Sequence, residues 1–196
     1  MNTTKMLFAT CLAVAFAAPL SAQTTCFFDG FEGPTLNPFW TPFAQSGSIV
    51  LPSSTQVHGG AQAVRFNSVD TPGVDKHIRL SHAFATPTYG TLSVWMNDTG
   101  ASASSSNYIG MWAFSGTDQI GIFTFDYNLS PTNGGSYTYN LPGSPTQTNH
   151  SSILRTSGWH QFSITTTPTL LTLRIDGTTV YSSPGNRPFD NFNLYM

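Results

Sequence analysis

Gly158-Trp159-His160-Gln161-Phe162-Ser163-Ile164 sets His160, Phe162 and Ile164 against Gln161, Ser163 and Thr165. After a short break, Leu171-Thr172-Leu173-Arg174-Ile175-Asp176-Gly177 sets Leu171, Leu173 and Ile175 against Thr172, Arg174 and Asp176. A period of two residues is that of a strand with one face buried. Asp176-Gly177 supplies the positive φ of a tight hairpin before Val180-Tyr181 carries the pattern onward. Two half-buried strands joined this way need a second apolar layer to cover them.

The rest of the chain supplies that layer. Strand patterns recur at 24–28, 47–51, 61–66, 76–84, 91–97, 108–115, 119–127, 136–141, 178–182 and 191–196. Punctuators such as Thr71-Pro72-Gly73, Asp98-Thr99-Gly100, Asn133-Gly134-Gly135 and Pro184-Gly185-Asn186 separate them. No helical pattern of useful length follows residue 22. Many short strands between such turns predict an all-β, two-sheet antiparallel sandwich or jelly roll.

Residues 1–22 stand apart as a secretory signal. Lys5 precedes an apolar run from Met6 to Ala18, Pro19 ends it, and Ala22 is the small residue before the cut. The run is too short to cross ~30 Å of hydrocarbon as a helix. The expectation is a secreted or cell-surface protein without membrane insertion, its mature domain spanning 23–196. Without Lys5, six basic residues face nine acidic ones, which excludes a nucleic-acid binder. Cys26 is the only cysteine after the signal, and it reads as a small buried strand residue.

The opening pair of strands resembles that of laminin-G-like, concanavalin A-type jelly rolls, in which a Gly-Trp-His strand precedes one ending in Asp-Gly. Further segments resemble the same domains of bacterial secreted and surface proteins, in the same order. They are Phe27-Phe28-Asp29-Gly30-Phe31-Glu32 with Trp40, Val57-His58-Gly59-Gly60-Ala61, and Phe189-Asp190-Asn191-Phe192-Asn193-Leu194. The resemblance implies a concanavalin A-like jelly roll and leaves activity open. It also implies a structural calcium where the opening segment meets the closing strand, with Glu32 and Asp190 as acidic ligands and His58 adding a backbone oxygen.

Catalytic patterns are scarce. Glycosidases use two carboxylates about the scissile bond, yet Glu32 is the only glutamate, and the Glu-x-Asp-x-x-Glu signature of laminarinase-like enzymes is absent. Gln56-Val57-His58 matches the Gln-x-His of jelly-roll alginate lyases, without their companion strands. The five histidines show no zinc spacing.

Aromatics remain. Tyr108, Trp112 and Phe114 share one face by parity, as do Tyr137 and Tyr139. Such rings either fill the core or stack on sugars. Trp40 and Trp159 are expected in the core. Trp112, Tyr137 and Tyr139, with Asp126 among the aromatics, are the candidates for a polysaccharide-binding face. The leading expectation is therefore a non-catalytic recognition module for an extracellular polysaccharide. A structural or adhesive domain without a glycan site, and a jelly-roll polysaccharide-degrading enzyme, are the alternatives.

Overall fold

The computed structural model describes residues 27–45, 47–68, 77–99, 109–124 and 135–196. The signal segment, Cys26, Tyr108 and Asp126 lie outside them. Among the described residues every regular element is a strand.

Seven strands form the larger sheet, in the order β1 (Thr41–Ala44), β4 (Ile78–Thr88), β13 (Phe189–Tyr195), β6 (Gly110–Ser115), β7 (Asp118–Phe123), β8 (Ser136–Leu141) and β9 (Ser144–Leu154). Four form the second, in the order β12 (Thr178–Pro184), β11 (Leu170–Ile175), β10 (Gly158–Thr166) and β5 (Gly90–Asp98). β2 (Gly47–Ser53) and β3 (Ala63–Ser68) make a separate two-stranded sheet. Every pairing is antiparallel. This is the two-sheet jelly roll that the alternation predicts.

The β10–β11 pair behaves as its parity demands. Phe162 pairs with Ile175 and Ile164 with Leu173, and all four side chains are fully buried. They meet Leu80, Met111, Ile120, Ile122 and Leu194 from the larger sheet in one core. Asp176 takes a positive φ of 49° in the turn. Its carboxylate accepts from Gln161 N at 2.8 Å and from His160 Nδ1 at 2.7 Å, locking the turn to β10.

Several expectations change. Phe27 and Phe28 lie outside any strand; Phe27 instead stacks on Phe39, ring centroids 3.5 Å apart. β1 shows no alternation because all four of its residues are exposed at a sheet edge. β9 is a second edge strand and was not marked by an apolar period. Trp40 is buried in the core as expected. Trp159 is not: it pairs with Asn97 on the outer face of the four-stranded sheet, one residue out of phase with the buried Phe162 and Ile164.

Candidate functional site

The outer face of the seven-stranded sheet carries the candidate site. On β13, Phe192 and Leu194 point into the core, so Asn191, Asn193 and Tyr195 point outward. On β6, Met111 and Ala113 point inward and Trp112 and Phe114 outward. The register then lines these side chains up across the sheet. Ser81, Asn193, Trp112 and Gly121 are successive partners in one row, and Asn191, Phe114 and Gln119 in the next.

Two glycines shape the aromatic part of this face. Gly121 sits opposite Trp112, and a Cβ there would lie 2.4 Å from Trp112 Cδ1 and 2.2 Å from Phe123 Cζ. A Cβ on Gly110 would lie 2.3 Å from Phe123 Cδ1. The rings therefore lie along the sheet in space that only glycine leaves free. Trp112 stacks nearly parallel on Tyr195, with centroids 5.3 Å apart and planes at 6°. Phe123 meets it edge-on at 5.3 Å.

Beside the rings is an open groove of about 340 Å³, lined by Arg79, Ser81, Phe114, Gly116, Asp190, Asn191 and Asn193. Asp190 accepts a hydrogen bond from Gly116 N at 2.5 Å. The Arg79 guanidinium lies over the Phe43 ring, 4.8 Å from its centroid. Three polar atoms on this face have no hydrogen-bond partner although they are shielded: Trp112 Nε1, Asn191 Oδ1 and Asn193 Oδ1. Leaving a buried polar atom unpaired costs about 1–3 kcal/mol, so three on one face form a costly cluster. A hydroxyl-bearing ligand that reached them would have the matching chemistry: the two oxygens accept, and the indole N–H donates.

The expected site residues divide. Trp112 is on the outer face, beside the groove. Tyr137 is a core residue: it is 0% exposed, faces inward, and meets the edge of Phe162 at 5.4 Å. Burial, with the Asp98 charge second, holds its phenol well above the ordinary tyrosine range. Tyr139 also points inward; it sits opposite the buried Ile122 and packs against the core beside Tyr181, centroids 5.5 Å apart. Both were placed on a binding face by shared parity, but parity says which residues go together and not which side is inside. Asp126 lies outside the described residues.

Among the described residues no group of three His, Cys, Asp or Glu side chains suited to a metal exists, and each of the three residues the resemblance offers to calcium has other contacts. The Glu32 carboxylate accepts from Ala61 N at 3.1–3.2 Å and Gln62 N at 3.3 Å, tying the opening segment to the loop before β3. Asp190 is held by Gly116 over the groove. His58 stacks on Trp95 at 3.9 Å on the outer face of the four-stranded sheet, across the sandwich from Asp190. Glu32 and Asp190 thus both accept from backbone amides, in two different loops.

Asn191 and Asn193 were missed as site residues. The signal was present in Asp190-Asn191-Phe192-Asn193-Leu194, where the residues alternating with buried Phe192 and Leu194 are both asparagine. Arg79 and Gly121 carried no comparable mark.

No family model matches the chain, nor does any curated protein. Solved structures do. A Bacillus licheniformis β-glucanase superposes with a TM-score of 0.52 at 13% identity, over 86% of this chain and 83% of the glucanase. An endo-acting O-glycanase that prominent members of the human gut microbiota express to initiate mucin breakdown gives 0.56 at 11% identity, over 88% and 85%. An apo Crh5 transglycosylase gives 0.51 at 11% identity, over 85% of this chain but 66% of the transglycosylase, just under two thirds of that protein's length. At these identities the likeness shows the fold, a concanavalin A-like jelly roll.

Proposed function

We propose that this protein is a secreted or cell-surface recognition module that binds a polysaccharide on the outer face of the seven-stranded sheet. The observation that carries this reading is the cluster of unpartnered Trp112 Nε1, Asn191 Oδ1 and Asn193 Oδ1 beside an open groove. Sugar hydroxyls both donate and accept, so their chemistry suits all three atoms, while half-buried Trp112, backed by Tyr195, offers apolar surface to a sugar ring. The structural neighbours, which include a glucanase and an O-glycanase, support a saccharide as the ligand class.

Binding is favoured over hydrolysis by the groove's chemistry. Asp190 is the only carboxylate among the described residues that line it, and glycoside hydrolysis uses two. Its oxygen is also engaged by Gly116 N.

The test is affinity electrophoresis of the mature protein through gels containing soluble β-glucans, mucin glycans, or sulfated and uronate polysaccharides. At least one should retard the parent protein, and Trp112→Phe with Asn193→Leu should abolish the retardation. Unretarded migration through the whole panel would leave a structural or adhesive domain. Release of reducing ends would make it an enzyme.

A further inference from the structure

We infer that the saccharide held in this groove carries an anionic group, a sulfate ester or a uronate, and that Arg79 recognises it. The inference rests on the polysaccharide reading above and names the class of polysaccharide.

Arg79 is the one arginine that lines the groove, and like Arg65 and Arg174 it has no ion pair among the described residues. Arg155 is locked in two hydrogen bonds to buried Asp98, at 2.9 and 2.7 Å. Arg187 pairs with Asp118 at 3.3 Å. Among the described residues Arg79 has no carboxylate partner, and its guanidinium lies over the Phe43 ring. No hydrogen bond among the described residues engages its N–H groups. A guanidinium edge matches the paired oxygens of a carboxylate or sulfate. The position is ordered by the sheet, because Arg79 stands between Phe43 and Tyr195 in register.

Asp190 would repel such an anion, but it stands at the other end of the groove. Arg79 lies opposite Tyr195 and Asp190 is five residues earlier on β13, a backbone separation of roughly 16 Å at about 3.3 Å per residue. Between them lie Asn191 and Asn193, the latter 6% exposed with its Oδ1 unpartnered. The groove therefore has a direction: a cationic end, a neutral hydrogen-bonding middle and an acidic end. A saccharide with an anionic substituent toward Arg79 and free hydroxyls toward Asn193 matches the first two parts and keeps its charge away from Asp190. Bulk charge does not produce this preference, since the chain's formal charge is −2 and repels polyanions.

The experiment compares Kd values by affinity electrophoresis for three probes sharing one galactan backbone: neutral, sulfated and uronate-bearing. The expected result for the parent protein is a preference of about threefold to fivefold for one of the charged probes, the range of a solvent-exposed ion pair. The two charged arms show whether sulfate or carboxylate is the partner. Salt at 0.5 M should erase the preference. Arg79→Gln should bring the ratio of Kd values to about one. Arg65→Gln, on β3 and outside the groove's lining, should leave the ratio as in the parent. Equal affinity for neutral and charged probes overturns this inference while polysaccharide binding stands. A preference that survives Arg79→Gln overturns it too. If no probe and no polysaccharide of the wider panel binds, the polysaccharide reading itself fails.

Discussion

Asn193→Leu should make the protein more stable and unable to bind. Asn193 is 6% exposed, and its Oδ1 lacks a partner in the ligand-free protein. Removing an unpaired buried acceptor recovers part of a penalty of about 1–3 kcal/mol. A side chain of similar volume with a different branch gives some of that back, under about 1.5 kcal/mol. The balance is a gain of about 1 kcal/mol, or roughly 2–4 °C in Tm for a domain of this size. Thermal unfolding followed by far-ultraviolet circular dichroism reads the first quantity, and affinity electrophoresis reads the second. The opposed signs matter, because a residue kept for packing loses stability when replaced, whereas one kept for a ligand does not. A variant destabilised by more than 1 kcal/mol would show that Asn193 is structural. A variant that bound polysaccharide like the parent would equally refute the reasoning.

Gly121→Ala should push Trp112 and Phe123 off the sheet, since its Cβ would lie 2.4 and 2.2 Å from them. The expected cost is about 1–3 kcal/mol of stability and a changed Trp112 fluorescence maximum. Tyr137 governs the alkaline limit: burial raises its folded value above the ordinary 10.0, so above pH 10 the native state keeps a proton that the unfolded chain releases. Stability should then fall by up to about 1.4 kcal/mol per pH unit, and urea unfolding of Tyr137→Phe between pH 9 and 11 should show a shallower fall. Because backbone amides engage Glu32 and Asp190 and no group of three metal-suited side chains exists among the described residues, EDTA should leave Tm within about 1 °C, roughly the resolution of a small stability change; a larger drop would establish the calcium site.

Strand parity made most of the fold legible. The alternation in β10 and β11 survives because each strand has one face in the core, and the same holds for β13 and β6. It failed at β1, whose four residues are all exposed and so carry no period. At Trp159 parity was right and residue type misled: a large aromatic reads as core, although it alternates with buried Phe162 and Ile164 and so faces outward. The site was half legible for a related reason. Trp112 was found, but Tyr137 and Tyr139 were assigned outward because alternation defines two faces without saying which is dry. Register decides that, and register is non-local: Tyr139 is inward because it pairs with Ile122. Asn193, Trp112 and Gly121 form a row only when three strands are aligned. Nothing in one strand's residues announces a row across the sheet.

The indole N–H resonances test the central claim most directly. The chain has four tryptophans, and each gives one cross-peak in a ¹⁵N–¹H spectrum, with Trp112 assigned from Trp112→Phe. Trp112 lies by the groove, Trp40 in the core, and Trp95 and Trp159 on the outer face of the opposite sheet. Titration with a saccharide that retards the protein in gels should move the Trp112 peak downfield, as its unpartnered N–H gains an acceptor, and leave the other three in place. Movement of Trp95 or Trp159 with Trp112 unmoved would contradict the account and put the ligand on the other face.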